Sequence, residues 1–131
     1  ILTIANRTPE KALQLAAAFR YHPAAASSVL SGMRYDELAG HHFDVVINAT
    51  SSSLQGELPP LPAGVFAEGS LAYDLMYDRR LTPFLVYAQF QGAAQLADGL
   101  GMLVEQAAES FFLWRGVRPQ TQPVITLLKS C

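Results

Sequence analysis

The sequence predicts an α/β fold, a parallel sheet doubly wound with helices. Three observations point to it. Short apolar, β-rich runs alternate with segments of helical period, and the joins between them are short. The strand Phe43 to Thr50 carries an unbroken Val45-Val46-Ile47 run, which suits a parallel strand covered on both faces.

The elements follow in order. Ile1-Leu2-Thr3-Ile4-Ala5 is a strand that stops at Asn6-Arg7-Thr8-Pro9, where Thr8 can cap a helix and Pro9 fits its first turn. Ala12, Leu15, Ala16 and Phe19 recur at helical spacing. The small-residue stretch Ala24 to Leu30 is compatible with a short strand, followed by a polar turn at Asp36-Glu37. After the second confident strand, Ser51 to Gly69 holds three prolines and three glycines and reads as a loop. Ser70 to Met76 reads as a third strand. Thr82 to Gln91 reads as a helix capped by Thr82, with Pro83 at its first position. From Leu100 a long helix carries Leu103, Val104, Ala107, Phe111 and Trp114 as one apolar stripe, closed by Gly116 and Pro119. Thr121 to Lys129 predicts a short terminal helix.

Composition narrows the function classes. The chain has 131 residues, half of them hydrophobic, which suits one compact domain and not a disordered tail. Nine basic against eleven acidic residues, a net charge of −2, argue against a general nucleic-acid binder. No apolar run approaches the roughly 20 residues of a membrane span. The single Cys131 cannot form an intrachain disulfide or a cysteine metal cluster, and His22 and His41-His42 lie apart from any carboxylate cluster, so no metal site is expected. The expectation is a soluble, cytoplasmic domain. Because a strand opens at Ile1 without Met, the chain is expected to be a piece of a longer protein.

In open parallel sheets, ligands bind beyond the carboxyl ends of the strands. Asn6-Arg7-Thr8, with Lys11 a turn later, places two cations and two small donors where a strand meets a helix N-terminus, a setting that favours anions. In a dinucleotide-binding fold, an acid at this place selects the ribose hydroxyl of NAD, whereas Arg accommodates the 2′-phosphate of NADP. The competing reading is a solvated Arg-Lys pair beside a helix cap. No Gly-x-Gly-x-x-Gly fingerprint is present; Gly99-Leu100-Gly101 lacks the third glycine and a suitable preceding strand. Gly99, Met102 and Gln106 share a helix flank, where Gln106 can meet a hydroxylated ligand or only solvent. Tyr77 is likewise a ligand contact or ordinary packing. Asp74 and Asp98 are candidate acids or bases, or turn caps. Ser51-Ser52-Ser53 lacks the glycines of a nucleophile elbow.

Several of these pieces together carry a resemblance: Asn6-Arg7-Thr8, Val46 to Ser51, Tyr73-Asp74 with Tyr77, Thr82-Pro83-Phe84-Leu85, Asp98 to Ala107, and Phe111 to Gly116. With them the chain resembles the shikimate dehydrogenase family over essentially its whole length. The Thr-Pro-Phe-Leu start and the Asp-Gly-x-x-Met-Leu-Val-x-Gln-Ala block are the specific parts.

The resemblance implies a Rossmann-like sheet, incomplete at its N-terminal side and with C-terminal helices. Residues 1–131 would form part of the NADP-binding domain, entered at its second strand. The glycine-rich loop and the catalytic Lys-Asp pair of the family have no counterparts here, so no catalytic residue is carried over. The implied reaction is reduction of 3-dehydroshikimate to shikimate with NADPH, and the chain alone should not turn over. Asn6, Arg7, Thr8 and Lys11 match positions that grip the adenosine 2′-phosphate. Lys11 stands where Arg is common and gives up the planar fork. Thr50 and Ser51 match the loop along the cofactor, and Leu75 and Gly99 match contacts near the nicotinamide. Tyr77 and Gln106 match substrate-binding residues. Small-molecule substrate, no nucleic acid, no membrane and a possible homodimer complete the expectation. A quinate-using paralogue, a glutamyl-tRNA reductase-like domain and a non-catalytic binding domain are the alternatives; the Asp98 to Gln106 block counts against the reductase.

Overall fold

The computed structural model describes residues 1–23, 29–52 and 56–130. The chain divides into two compact units, Ile1–His42 with Pro59–Val65, and Phe43–Leu58 with Phe66–Cys131.

The first unit holds β1 (Leu2–Ala5), α1 (Pro9–Phe19), β2 (Leu30–Met33) and a 3-10 turn at Asp36–Leu38. β1 and β2 pair in parallel, with Leu2 opposite Leu30 and Ala5 opposite Met33. α1 lies against this pair. It approaches closely because the contact residues are small: Ala12 and Ala16 are buried, and a Cβ on Gly32 would sit 2.7 Å from the backbone of Ala12 and Leu13. Leu15 and Phe19, expected on the buried face, stay half-exposed. Period identifies a helix, but close packing on alanines centres the buried stripe elsewhere. The small-residue stretch expected as a strand lies mainly outside the described residues, and the strand itself runs on to Met33.

The second unit holds β3 (Phe43–Asn48), β4 (Phe66–Asp74), α2 (Pro83–Phe90), β5 (Gln95–Ala97), α3 (Leu100–Arg115) and α4 (Gln122–Ser130). Its sheet is parallel throughout, in the order β3-β4-β5. α2 packs on β4 and β5, where Phe84, Leu85 and Ala88 are buried and Phe66 meets the rings of Phe84 and Tyr87. β4 begins at Phe66, so the end of the expected loop is strand. β5 was not foreseen.

Two expectations of burial are corrected. β3 is not covered on both faces: Val45 and Ile47 are 51% and 57% exposed, because alternate residues of a strand face opposite sides and one side lacks cover. In α3 the buried line is Leu100, Val104 and Ala108, while Phe111 and Trp114 of the expected stripe remain exposed. α3 ends as expected at Gly116, with φ 70°, whose N–H donates to the Phe112 carbonyl at 2.7 Å.

Candidate cofactor and substrate sites

In the first unit, β1 ends on the anion-binding candidates. Asn6 Oδ1 accepts from the Thr8 N–H at 2.8 Å and turns the chain into α1. Thr8 occupies the N-cap with extended backbone, but its hydroxyl takes no bond from the first turn. The predicted cap is therefore conformational, and the Asn6 amide fixes the corner instead. Pro9 opens the helix as predicted. Arg7 and Lys11 are exposed on either side of this corner.

Asn6 and Arg7 line an open groove of about 540 Å3, within the size range of small-molecule sites. Its remaining walls come from Pro9, Arg34, Tyr35, Asp36 and the Pro60-Leu61-Pro62 segment, so one carboxylate stands among the two arginines. Thr8 at the N-cap and Lys11 in the first turn of α1 are not among its lining residues. Burial pushes the Tyr35 phenol above its usual range, and the nearby positive charge of Arg7 opposes that. Arg34 and Tyr35 escape a reading of the sequence because β2 is expected further upstream, which conceals that they leave a strand beside Asn6.

In the second unit the three parallel strands release their chains at one edge. Asn48 lies opposite Asp74, and Tyr73 opposite Ala97. Thr50-Ser51, Leu75 to Tyr77 and Asp98-Gly99 therefore emerge side by side. A buried polar network fixes this edge. Asn48 Nδ2 donates to Asp74 Oδ1 at 3.2 Å. The Thr82 hydroxyl donates to Asp74 Oδ2 at 2.6 Å and accepts from the Leu85 N–H at 3.3 Å, capping α2. The Met76 N–H also donates to Asp74 Oδ1, at 3.1 Å. Asp74 is fully buried with both oxygens engaged, so of the two readings the structural one describes it. Asp98 accepts from the Leu100 N–H at 3.1 Å, a turn at the head of α3.

Asn48 is the hub of this edge, and its sequence position alone assigns it no role. Its Oδ1 accepts from both the N–H and the hydroxyl of Thr50, at 3.1 and 2.7 Å, and the hydroxyl lies 2.5 Å from Ser52 Oγ. The Asn48 carbonyl accepts from the Leu75 N–H at 3.0 Å. The Gly99 N–H donates to the Met76 carbonyl at 3.1 Å. The network thus joins Thr50, Leu75 and Gly99 into one backbone platform, with Ser51 exposed at its rim. Ser53 lies outside the described residues.

Tyr77 leaves the same edge, its ring about half-exposed. Gln106 sits two turns into α3 and shares an open groove with Leu103, Ala107, Ser110 and Trp114. Its side chain is exposed beside a helix anchored by other residues.

Comparison with known proteins agrees with this architecture. A family profile described as "Shikimate 5'-dehydrogenase C-terminal domain" matches residues 99–129. A shikimate dehydrogenase (NADP(+)) of Nitrosospira multiformis is 64% identical over 129 residues, 98% of this chain and 45% of that protein. The crystal structure of an Ael1 enzyme from Pseudomonas putida superposes with TM-score 0.86 at 55% identity, covering 97% of this chain and 45% of that one. A shikimate 5-dehydrogenase from Thermus thermophilus, solved in complex with NADP(H) and shikimate, superposes with TM-score 0.72 at 30% identity, over 95% of this chain and 43% of that one. The chain spans a little under half the length of the relatives it matches. By sequence and by fold, the chain is similar to the C-terminal part of shikimate dehydrogenases.

Proposed function

We propose that residues 1–131 are part of the NADP-binding domain of a shikimate dehydrogenase that reduces 3-dehydroshikimate to shikimate. In this reading, the first strand, the glycine-rich loop and the catalytic domain belong to the remainder of a longer protein. The observation that carries it is Arg7, which follows β1 at the corner built by Asn6 and Thr8, where an NAD-selecting acid would otherwise stand. The donor set suits the cofactor: cationic side chains and a helix N-terminus for phosphate, and an apolar proline-leucine wall for a base.

NADPH, when bound, supplies the hydride; the residues of this chain bind and orient. Asn6, Arg7, Thr8 and Lys11 would hold the adenosine 2′-phosphate. Thr50, Ser51, Leu75 and Gly99 would be contacts for the remainder of the cofactor, Leu75 and Gly99 for the nicotinamide. Tyr77 and Gln106 contact the substrate through hydroxyl and amide groups. The buried Asn48-Asp74-Thr82 hydrogen bonds support this reading, because they fix the strand ends and small displacements of a reacting ring are costly in rate.

We further propose a cytoplasmic enzyme acting on small molecules, with neither nucleic acid nor membrane as partner. The net charge of −2 supports the first exclusion, and no helix among the described residues is long and apolar enough to cross a membrane. A homodimer is part of the proposal. Sedimentation of the longer protein tests it, a monomer being the contrary result. NADP-dependent oxidation of shikimate by the longer protein, with this chain alone inactive, tests the function. No shikimate oxidation by the longer protein would refute it.

A further inference from the structure

Arg7 and Lys11 are the cations that the sequence offers for the phosphate. The structure adds one more. β1 and β2 are parallel with Ala5 opposite Met33, so both strands release their chains at the same edge, Asn6-Arg7 beside Arg34-Tyr35. Arg7 and Arg34 line the same groove, together with Asp36 and the apolar Pro60-Leu61-Pro62 segment.

Arg34 is held in place from both ends. Its backbone N–H donates to Glu37 Oε2 at 2.7 Å, and its Nε donates to Asp36 Oδ1 at 2.9 Å. Binding through Nε leaves the two terminal nitrogens of the fork to meet a ligand. The pair is open to solvent, the two side chains being 59% and 69% exposed, so its own attraction is weak and screened. A phosphate carrying close to two charges is the stronger partner for a guanidinium. Meanwhile Asp36 offsets the repulsion that two arginines on one groove would otherwise exert.

We infer that Arg34 is a second specificity-determining cation for the adenosine 2′-phosphate, pre-positioned by Asp36 and Glu37 and acting with Arg7. The inference rests on the NADP reading above. An apolar wall facing one arginine would take a purine with little discrimination. Two arginines at the mouth make the groove demand a dianion attached to the ring.

The test uses the longer enzyme, with adenosine 2′,5′-bisphosphate and adenosine 5′-monophosphate as competitive probes. Arg34→Ala and Arg34→Gln should weaken the bisphosphate and raise the KM for NADPH about five- to tenfold. The monophosphate, the KM for NADH, the KM for shikimate and kcat should stay within about twofold. Arg34→Lys should recover part of the loss, since it keeps the charge without the fork. Arg7→Ala is the control. If Arg7→Ala weakens the bisphosphate and the Arg34 variants do not, the inference falls while the cofactor reading stands. If neither residue matters, the cofactor reading falls with it. Equal weakening of both probes would make Arg34 a contact of the base, and would overturn a phosphate role.

Discussion

A Cβ on residue 99 would sit 1.9 Å from the carbonyl oxygen of Leu75 and 2.7 Å from its carbonyl carbon. The end of β4 and the head of α3 therefore touch backbone to backbone, and Gly99 is what permits it. Its φ of −73° is open to any residue, so the requirement is space alone. Gly99→Ala must push the two backbones apart, at an expected cost of about 1–3 kcal/mol, as for overpacking a core. A thermal melt checks this; an unchanged midpoint would contradict the packing described.

Thr82 both caps α2 and bonds Asp74. Thr82→Val keeps the shape, loses both bonds and takes one donor away from the buried Asp74 carboxyl. A loss of about 1–3 kcal/mol is expected, whereas Thr82→Ser should retain most of the stability. Urea denaturation of the two variants compares them directly. Equal stability of Val and Ser would remove the network from the account.

Acid should loosen the segment that joins α3 to α4. Arg118 bonds both Glu105, at 2.7 Å, and Glu109. The Thr121 side chain and then Arg118 hold the Glu105 carboxyl below its ordinary range. A depressed pKa gives stability that is present above the ordinary carboxylate value, and that is lost as pH falls through the lowered one. Arg118→Ala should therefore melt below the parent near neutrality, and the gap should close as the pH drops below about 4.5. A gap that holds constant into acid would contradict this.

Elements with strong local signals were legible in the sequence. Thr82-Pro83 announced α2, Gly116 the end of α3, and Val45 to Ile47 a strand, because capping, left-handed backbone and β-branching act within a few residues. The face an element buries is not local. Val104 lies on two overlapping apolar lines of α3, and only tertiary packing selects Leu100-Val104-Ala108 over Phe111 and Trp114. β5, with Gln95-Leu96-Ala97, is too short for a period, yet pairing with Leu71 to Tyr73 makes it a strand. Among the site residues, Arg7 was legible as a charge at a strand exit. Asn48 and Arg34 were not, since their roles depend on which strands are neighbours.

Gln106 should act on the substrate and not on the fold. α3 is anchored by Leu100, Val104 and Ala108, so Gln106→Ala should leave the melting temperature nearly unchanged. Losing one hydrogen bond to a neutral hydroxyl costs about 0.5–1.5 kcal/mol, or roughly two- to tenfold in the KM for shikimate. If the bond strengthens in the transition state, kcat falls as well. The KM for NADPH should not move. Unchanged shikimate kinetics would make Gln106 a solvated helix residue.

The central claim is that the corner at the end of β1 reads the 2′-phosphate of NADP, and Arg7 is its most direct handle. The decisive measurement is kcat/KM for 3-dehydroshikimate reduction by the longer enzyme with NADPH and with NADH, before and after Arg7→Asp. A preference for NADPH of tenfold or more is expected, from about 1.5–3 kcal/mol per charge-assisted bond, and Arg7→Asp should erode or invert it. Equal efficiency with the two cofactors in the unmodified enzyme, or a preference untouched by Arg7→Asp, would contradict the account.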